Sequence, residues 1–288
     1  LALVLAACGE RPTISLRYHP PAGAVYRYAL EQRTAMTMES GPLAAMGKQE
    51  MVMRMHFTQA VTGPAGVGGV GGVGGGGTTV RITFDSVGME APGVPPEVMA
   101  RELGRLRGLQ ATVLFDERAR VVRTDFAPAA GVPPEMTAQM AAGVKAMAFS
   151  FPEQPVGRGD SWTVSTDLPM GQLRRATAGA AGERATARTT LTVNAIEVAR
   201  GDTSVLLDVT TEFPEEPLLV EVGGRQATMR IAGTLSGTQE FSVTRGAVVH
   251  GTMKGSMRLS ITSAIVGAPT TTEMTSDAET TMRLLDGT

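Results

Sequence analysis

The chain has 288 residues, a formal charge of −2 and a pI near 6.0, with 42% hydrophobic and 19% charged residues. That is enough for one large domain or two modest ones with a real core, without the charge excess of a disordered chain. The near-neutral balance argues against nucleic acid, since phosphate binding needs a basic face, and 4% aromatics leave few stacking platforms for single strands.

Seventeen methionines supply much of the apolar bulk. Their flexible thioethers suit either a tolerant core or an adaptable pocket. The single cysteine, Cys8, excludes an internal disulfide and a thiolate metal site. Its surroundings explain it: Leu1 to Ala7 reads as the apolar end of a signal peptide, and Leu5-Ala6-Ala7-Cys8 matches the lipobox of bacterial lipoproteins. The match implies cleavage before Cys8, diacylglycerol on its sulfur and often a third acyl chain on the new amino group. Two or more chains anchor stably at a membrane. Gly9 in place of an Asp retention signal favours the outer membrane, facing the periplasm, if the host has two membranes. Nothing later in the chain approaches the ~20 consecutive apolar residues of a spanning helix.

Residues 1–8 are thus expected to be the end of the signal and the lipidated cysteine, and 9–22 a tether. From there strand-like runs dominate. Tyr26 to Glu39 and Gln49 to Val61 alternate with period two, and in the second Met51, Met53, Met55 and Phe57 share one face against Arg54, His56 and Thr58. Gly63 to Gly77 is a glycine-rich hairpin loop that lacks the Gly-Lys-Ser/Thr ending of a phosphate loop. Thr78 to Val87 is the next strand. Gly93-Val94-Pro95-Pro96-Glu97 opens a helix to about Arg107, and Gly131-Val132-Pro133-Pro134-Glu135 opens another to about Phe149. Proline is accepted in a first helical turn, and an early Glu suits the helix dipole. A hairpin lies between them, Leu109 to Phe115 and Arg120 to Phe126.

Gly157-Arg158-Gly159-Asp160-Ser161-Trp162 then turns the chain into a second series of strands: 161–166, 185–196, 203–213, 229–244, 247–263 and 270–285. Arg245-Gly246 joins two long strands as a hairpin. Glycine weakens a strand unless the sheet bends or something packs close, so Gly233, Gly237, Gly251 and Gly255 predict strong curvature. Gly23-Ala24-Val25-Tyr26 and Gly159-Asp160-Ser161-Trp162 both plant an aromatic after a glycine turn. On that likeness, residues 23–150 and 151–288 read as two related β-rich halves.

The phrase Phe151-Pro152-Glu153-Gln154-Pro155-Val156-Gly157-Arg158-Gly159-Asp160-Ser161-Trp162, with the lipobox and the early Gly23-x-x-Tyr26, resembles a family of uncharacterised bacterial lipoproteins. The resemblance covers most of residues 20–285 and implies no activity. At the level of architecture alone, a curved antiparallel sheet with a few helices is similar to lipoprotein-carrier and lipoprotein-receptor folds, which hold acyl chains.

No catalytic constellation emerges. His19, His56 and His250 have no metal-ligand spacing. Gly159-Asp160-Ser161 is similar to an esterase nucleophile block, but alternation after Ser161 makes it a strand start, and no Asp-x-x-His partner follows. Glu212, Glu215 and Glu216 adjoin a Phe213-Pro214 break and mark no acid–base pair. Met36, Met38, Met51, Met53 and Met55 could in principle hold copper(I), but alternation without His or Cys favours a core or pocket lining.

The expected fold is mainly β (α+β): strongly curved antiparallel sheet, two related halves, and two or three helices on the concave face. The expected role is non-catalytic and without cofactor. One reading is a lipoprotein anchored through Cys8 that binds a hydrophobic or lipid-like ligand, lined by Met51, Met53, Met55, Phe57, Met136, Met140 and Met147. The other is a scaffold that partners envelope proteins and has a filled core. Met136, Met140 and Met147 share one helical stripe, where core packing is the commoner role.

Overall fold

The computed structural model describes residues 12–41, 44–64, 77–128, 132–147, 150–168, 174–175, 186–199, 201–213, 215–222, 225–265 and 268–287. Cys8 and its lipobox, and most of the glycine-rich stretch, lie outside them.

In chain order the elements are β1 (Thr13–Ile14), β2 (Val25–Met38), a single 3-10 turn (Ala44–Met46), β3 (Lys48–Pro64), β4 (Thr78–Glu90), α1 (Pro96–Gly104), β5 (Gln110–Phe115), β6 (Val121–Phe126) and α2 (Pro134–Met147). There follow β7 (Val156–Gly157), β8 (Ser161–Asp167), β9 (Arg174–Arg175), β10 (Thr186–Ala199), β11 (Asp202–Phe213), β12 (Leu218–Val222), β13 (Arg225–Ser242), β14 (Ala247–Ile265) and β15 (Ala268–Gly287). The fold is mainly β, with two short α-helices among the described residues. One thirteen-stranded antiparallel sheet runs β6-β5-β4-β3-β2-β15-β14-β13-β11-β10-β8, with β12 paired to β13 and to β9. Each half of the chain is a meander, and the pairing of β15 with β2 joins them into one sheet.

Period-two alternation gives the sheet one apolar and one polar face. Of the interruptions in the register, three show how the alternation is kept. The extra residues at Asp85 on β4, Asn194 on β10 and Leu285 on β15 are β-bulges, so Phe84 and Val87 stay on one face, as do Val193 and Ile196.

The base of the apolar face carries two aromatic clusters. One gathers Tyr26, Tyr28, Phe57, Val80, Ile82, Phe84 and Val113; the other gathers Leu16, Phe151, Leu191, Val193, Leu207 and Phe241. A smaller third cluster, Val220, Ala227 and Met229, sits where β12 crosses β13.

The second cluster also contains Ala119, from the turn between β5 and β6. A flat sheet would hold β5 and β10 eight strand spacings apart, about 40 Å. Phe151 links that turn to β13, donating its N–H to Arg118 O and packing its ring on Phe241, so the sheet curves toward its base, with β6 and β8 as its edges among the described residues. The turn is pinned there: Tyr18 N–H donates to Glu117 O at 2.8 Å, Phe151 N–H to Arg118 O at 2.8 Å, and Arg118 Nε to Phe151 O at 2.7 Å. Ala119 takes φ 61°, and Asp116 Oδ1 accepts the amides of Arg118 and Arg120, each at 2.9 Å.

Three glycines stand where the backbones of β13 and β14 approach closely. A Cβ on Gly237 would stand 1.8 Å from Thr252 O, one on Gly255 2.0 Å from Thr234 O, and one on Gly233 2.2 Å from Ser256 O. Between β13 and β14 only glycine admits so close a backbone approach. Gly251, expected to act alike, has open space beside it, its nearest neighbour being 3.9 Å away.

The tether expectation is corrected for residues 12–22. Leu16 is fully buried, β1 pairs with β7, and Arg17 donates to Leu16 O, Pro152 O and Glu153 O. The alternation Ile14-x-Leu16-x-Tyr18 feeds apolar side chains into the second cluster, which makes this segment part of the core. Of the helices, α2 sends Met140 and Val144 onto the first cluster, whereas α1 has no buried residue.

Candidate functional site

Register determines which side chains share the apolar face. Tyr28 lies opposite Phe57, Leu30 opposite Met55, Gln32 opposite Met53 and Thr34 opposite Met51. Across β4, Met53 meets Met89 and Met55 meets Val87. Across β15, Leu30 meets Met282, Met36 meets Ser276 and Met38 meets Met274. From β15 to β14, Ser276 meets Met257 and Thr280 meets Met253. Between the aromatic base and the far ends of the long strands, one face is therefore lined by Met36, Met38, Met51, Met53, Met55, Met89, Met253, Met257, Met274 and Met282, all half-buried. The remaining positions are small or neutral: Thr34, Gly255, Ser276, Ala278 and Thr280.

Among the described residues of β2, β3, β4, β14 and β15, which carry the methionines, this face holds no charged side chain. In β2–β6, β8, β10, β11, β14, β15 and β13 from Gln226 onward, every Asp, Glu, Lys, Arg and His that pairs in register points to the other face. There they form exposed ion pairs. Arg33 and Arg54 flank Glu31 at 2.8 and 3.2 Å, Arg54 also reaches Glu90, and Lys48 meets Glu50 at 2.7 Å. The hydrogen bond from Arg33, then that from Arg54, holds the Glu31 carboxyl below its ordinary range. On the apolar side, burial pushes the Tyr28 hydroxyl far above the usual range for a phenol.

Of the residues expected to line a site, Met51, Met53 and Met55 share the half-buried face. Phe57 belongs to the base instead, 8% exposed and stacked on Tyr28 at 5.1 Å. Met140 packs against the first cluster, while Met136 is 44% exposed. The side chain of Met147 lies outside the described residues.

Met89, Met253, Met257, Met274 and Met282 were not among the expected lining residues. Those on β14 were readable from the alternation Gly251-x-Met253-x-Gly255-x-Met257-x-Leu259. Met89 was not, because the bulge at Asp85 inverts the parity of β4 beyond Phe84.

Gly157 to Trp162 forms a turn. Asp160 Oδ2 accepts Gly157 N–H at 2.8 Å, Gly159 takes φ 89°, and Trp162 Nε1 donates to Ser150 O at 2.7 Å. His56 Nδ1 lies 3.0 Å from Ser86 Oγ on the polar face. Among the described residues, no three His, Cys, Asp or Glu side chains converge as metal ligands. Also among them, no helix is long and apolar enough to cross a membrane.

A small concavity of about 180 Å³ adjoins His19, Pro20, Val61 and Thr78. A shallower one of about 570 Å³ draws charged residues from the polar side, Arg33, Glu50, Lys254, Asp277 and Glu279, and also borders Met51 of the methionine face. No protein-family model matches the chain, and no curated protein matches its sequence.

Proposed function

We propose that this chain is a bacterial envelope lipoprotein, anchored to a membrane through lipid on Cys8, that binds a hydrophobic, lipid-like ligand without catalysis. The observation that carries the reading is the uncharged, methionine-lined face. A ligand charge buried there would find no counter-charge and few donors, a cost of several kcal/mol, so the face selects apolar ligands. Methionine adapts to irregular apolar shapes, and half-buried positions leave apolar area for a ligand to cover. The lipobox supports the membrane address, and Gly9 favours the outer membrane of a two-membrane host.

The second reading is a scaffold with a filled interior. It draws support from Met55 and Met282, which pack against the first aromatic cluster, and from Met253, which packs against the second.

Titration of the purified chain with N-phenyl-1-naphthylamine, an uncharged fluorescent probe, separates the two. Saturable binding that competing lipid displaces, together with an apolar adduct in native mass spectrometry, supports the carrier reading. A clean protein mass and no probe uptake leaves the scaffold. Incorporation of labelled palmitate in cells, lost in Cys8→Ala, tests the anchor.

A further inference from the structure

We infer that the methionine face is a site of sulfoxidation by peroxide, and that this modification switches its apolar binding off. The inference rests on the binding reading above. Its core is Met36, Met38, Met51, Met53, Met89, Met257 and Met274, which are half-buried and stand outside all three packed clusters. Their sulfurs are therefore not locked into the core, whereas Met229 is 1% exposed inside it.

In the reaction the thioether sulfur attacks one peroxide oxygen. An S–O bond forms, the O–O bond breaks, the sulfur is oxidised by two electrons, and the other oxygen leaves as water after proton transfer. Each event turns an apolar thioether into a polar sulfoxide.

Register concentrates the consequence. Met53 lies directly opposite Met89, and Met38 directly opposite Met274, so sulfoxides form side by side on a face that otherwise carries no charge. An apolar ligand then has to desolvate those dipoles, and binding is lost. The fold itself changes little, because a half-exposed sulfoxide keeps its contact with water. Occupancy acts on the reaction as well: a ligand covering the face keeps peroxide from its sulfurs and slows their oxidation.

The test treats the purified chain with hydrogen peroxide, maps sulfoxides by peptide mass spectrometry and titrates N-phenyl-1-naphthylamine before and after. The expected result is oxidation of these seven methionines before Met229 and a loss of probe affinity of about tenfold or more. The denaturation midpoint should stay nearly unchanged, and methionine sulfoxide reductases should restore binding. Met136, exposed at 44%, oxidises regardless and serves as the internal control. In a variant with leucine at the seven positions, peroxide should no longer change whatever probe affinity the variant shows before treatment; if it fails to fold, loss of wild-type affinity in proportion to sulfoxide at these positions, reversed by the reductases, carries the test. Full oxidation with unchanged affinity overturns the switch while leaving apolar binding standing. Failure of the untreated chain to take up the probe overturns both.

Discussion

The base of the sheet and its middle present the same face, built by the same strands, with different side chains. At the base, aromatic rings pair closely: Tyr18 with Phe115 at 4.8 Å, Tyr28 with Phe57 at 5.1 Å, Phe151 with Phe241 at 4.7 Å. A few residues further along β2, β3 and β4, methionine replaces the rings and burial falls from nearly complete to partial. Rings have few rotamers and fix one packing, whereas thioethers accept many. The base is therefore where the fold is specified, and the middle is where it has latitude to bind.

The sharpest way to break that comparison is to cut each region by a single side chain. Phe241→Ala removes a ring that is 1% exposed and packed on Phe151, and should cost about 3–5 kcal/mol of stability. Met53→Leu, on the half-buried face, should cost less than ~1.5 kcal/mol. Urea denaturation followed by circular dichroism measures both. Similar losses at the two positions would show that the middle is as firmly packed as the base, which favours the scaffold reading.

A second comparison separates two glycines on facing strands. Gly237→Ala drives a methyl into Thr252 O and should cost at least about 1–3 kcal/mol, with loss of amide protection along β13 and β14. Gly251→Ala enters open space and should change stability by no more than ~0.5 kcal/mol. Hydrogen exchange localises the difference. Equal effects would mean that the close approach is not what sets the cost.

The strands were legible because alternation over ten or more residues leaves little ambiguity, and β2, β3, β4, β10, β11, β13, β14 and β15 all fall where the period-two runs lie. Both proline-opened helices were legible from their first turns. β12 was not: five residues after a proline break carry too few alternations to read. The core role of residues 12–22 was hidden because two-residue β1 takes its meaning from β7, more than a hundred positions away. Of the candidate site, the β3 methionines could be seen in one run, but a face shared by five strands depends on register. Register in turn depends on bulges such as Asp85, which no local pattern announces.

Smaller effects test what holds the turn between β5 and β6. Partial burial raises the Asp116 carboxyl, but the amides of Arg120 and Arg118 and the Arg120 guanidinium outweigh it, and the group sits below its ordinary range. A carboxyl with a depressed folded-state pKa contributes stability above its unfolded value, and that contribution fades as pH falls through the lowered one. Asp116→Asn keeps an acceptor oxygen but loses the charge, so it should cost about 1 kcal/mol at pH 7. The gap between variant and wild type should close on acidification below the ordinary Asp range. A gap that persists at low pH would assign the effect to turn geometry instead of charge.

The smallest expected effect lies on the polar face. Arg54 bridges Glu31 and Glu90, yet the guanidinium and both carboxylates stand in water. Exposed ion pairs spend most of their attraction on holding long side chains in place, and salt screens the remainder. Arg54→Gln should leave both the denaturation midpoint and probe affinity within experimental scatter at physiological salt. A clear loss of probe binding without loss of stability would mean that the outer charges take part in recognition. The division into a binding face and a merely solvated one would then be wrong.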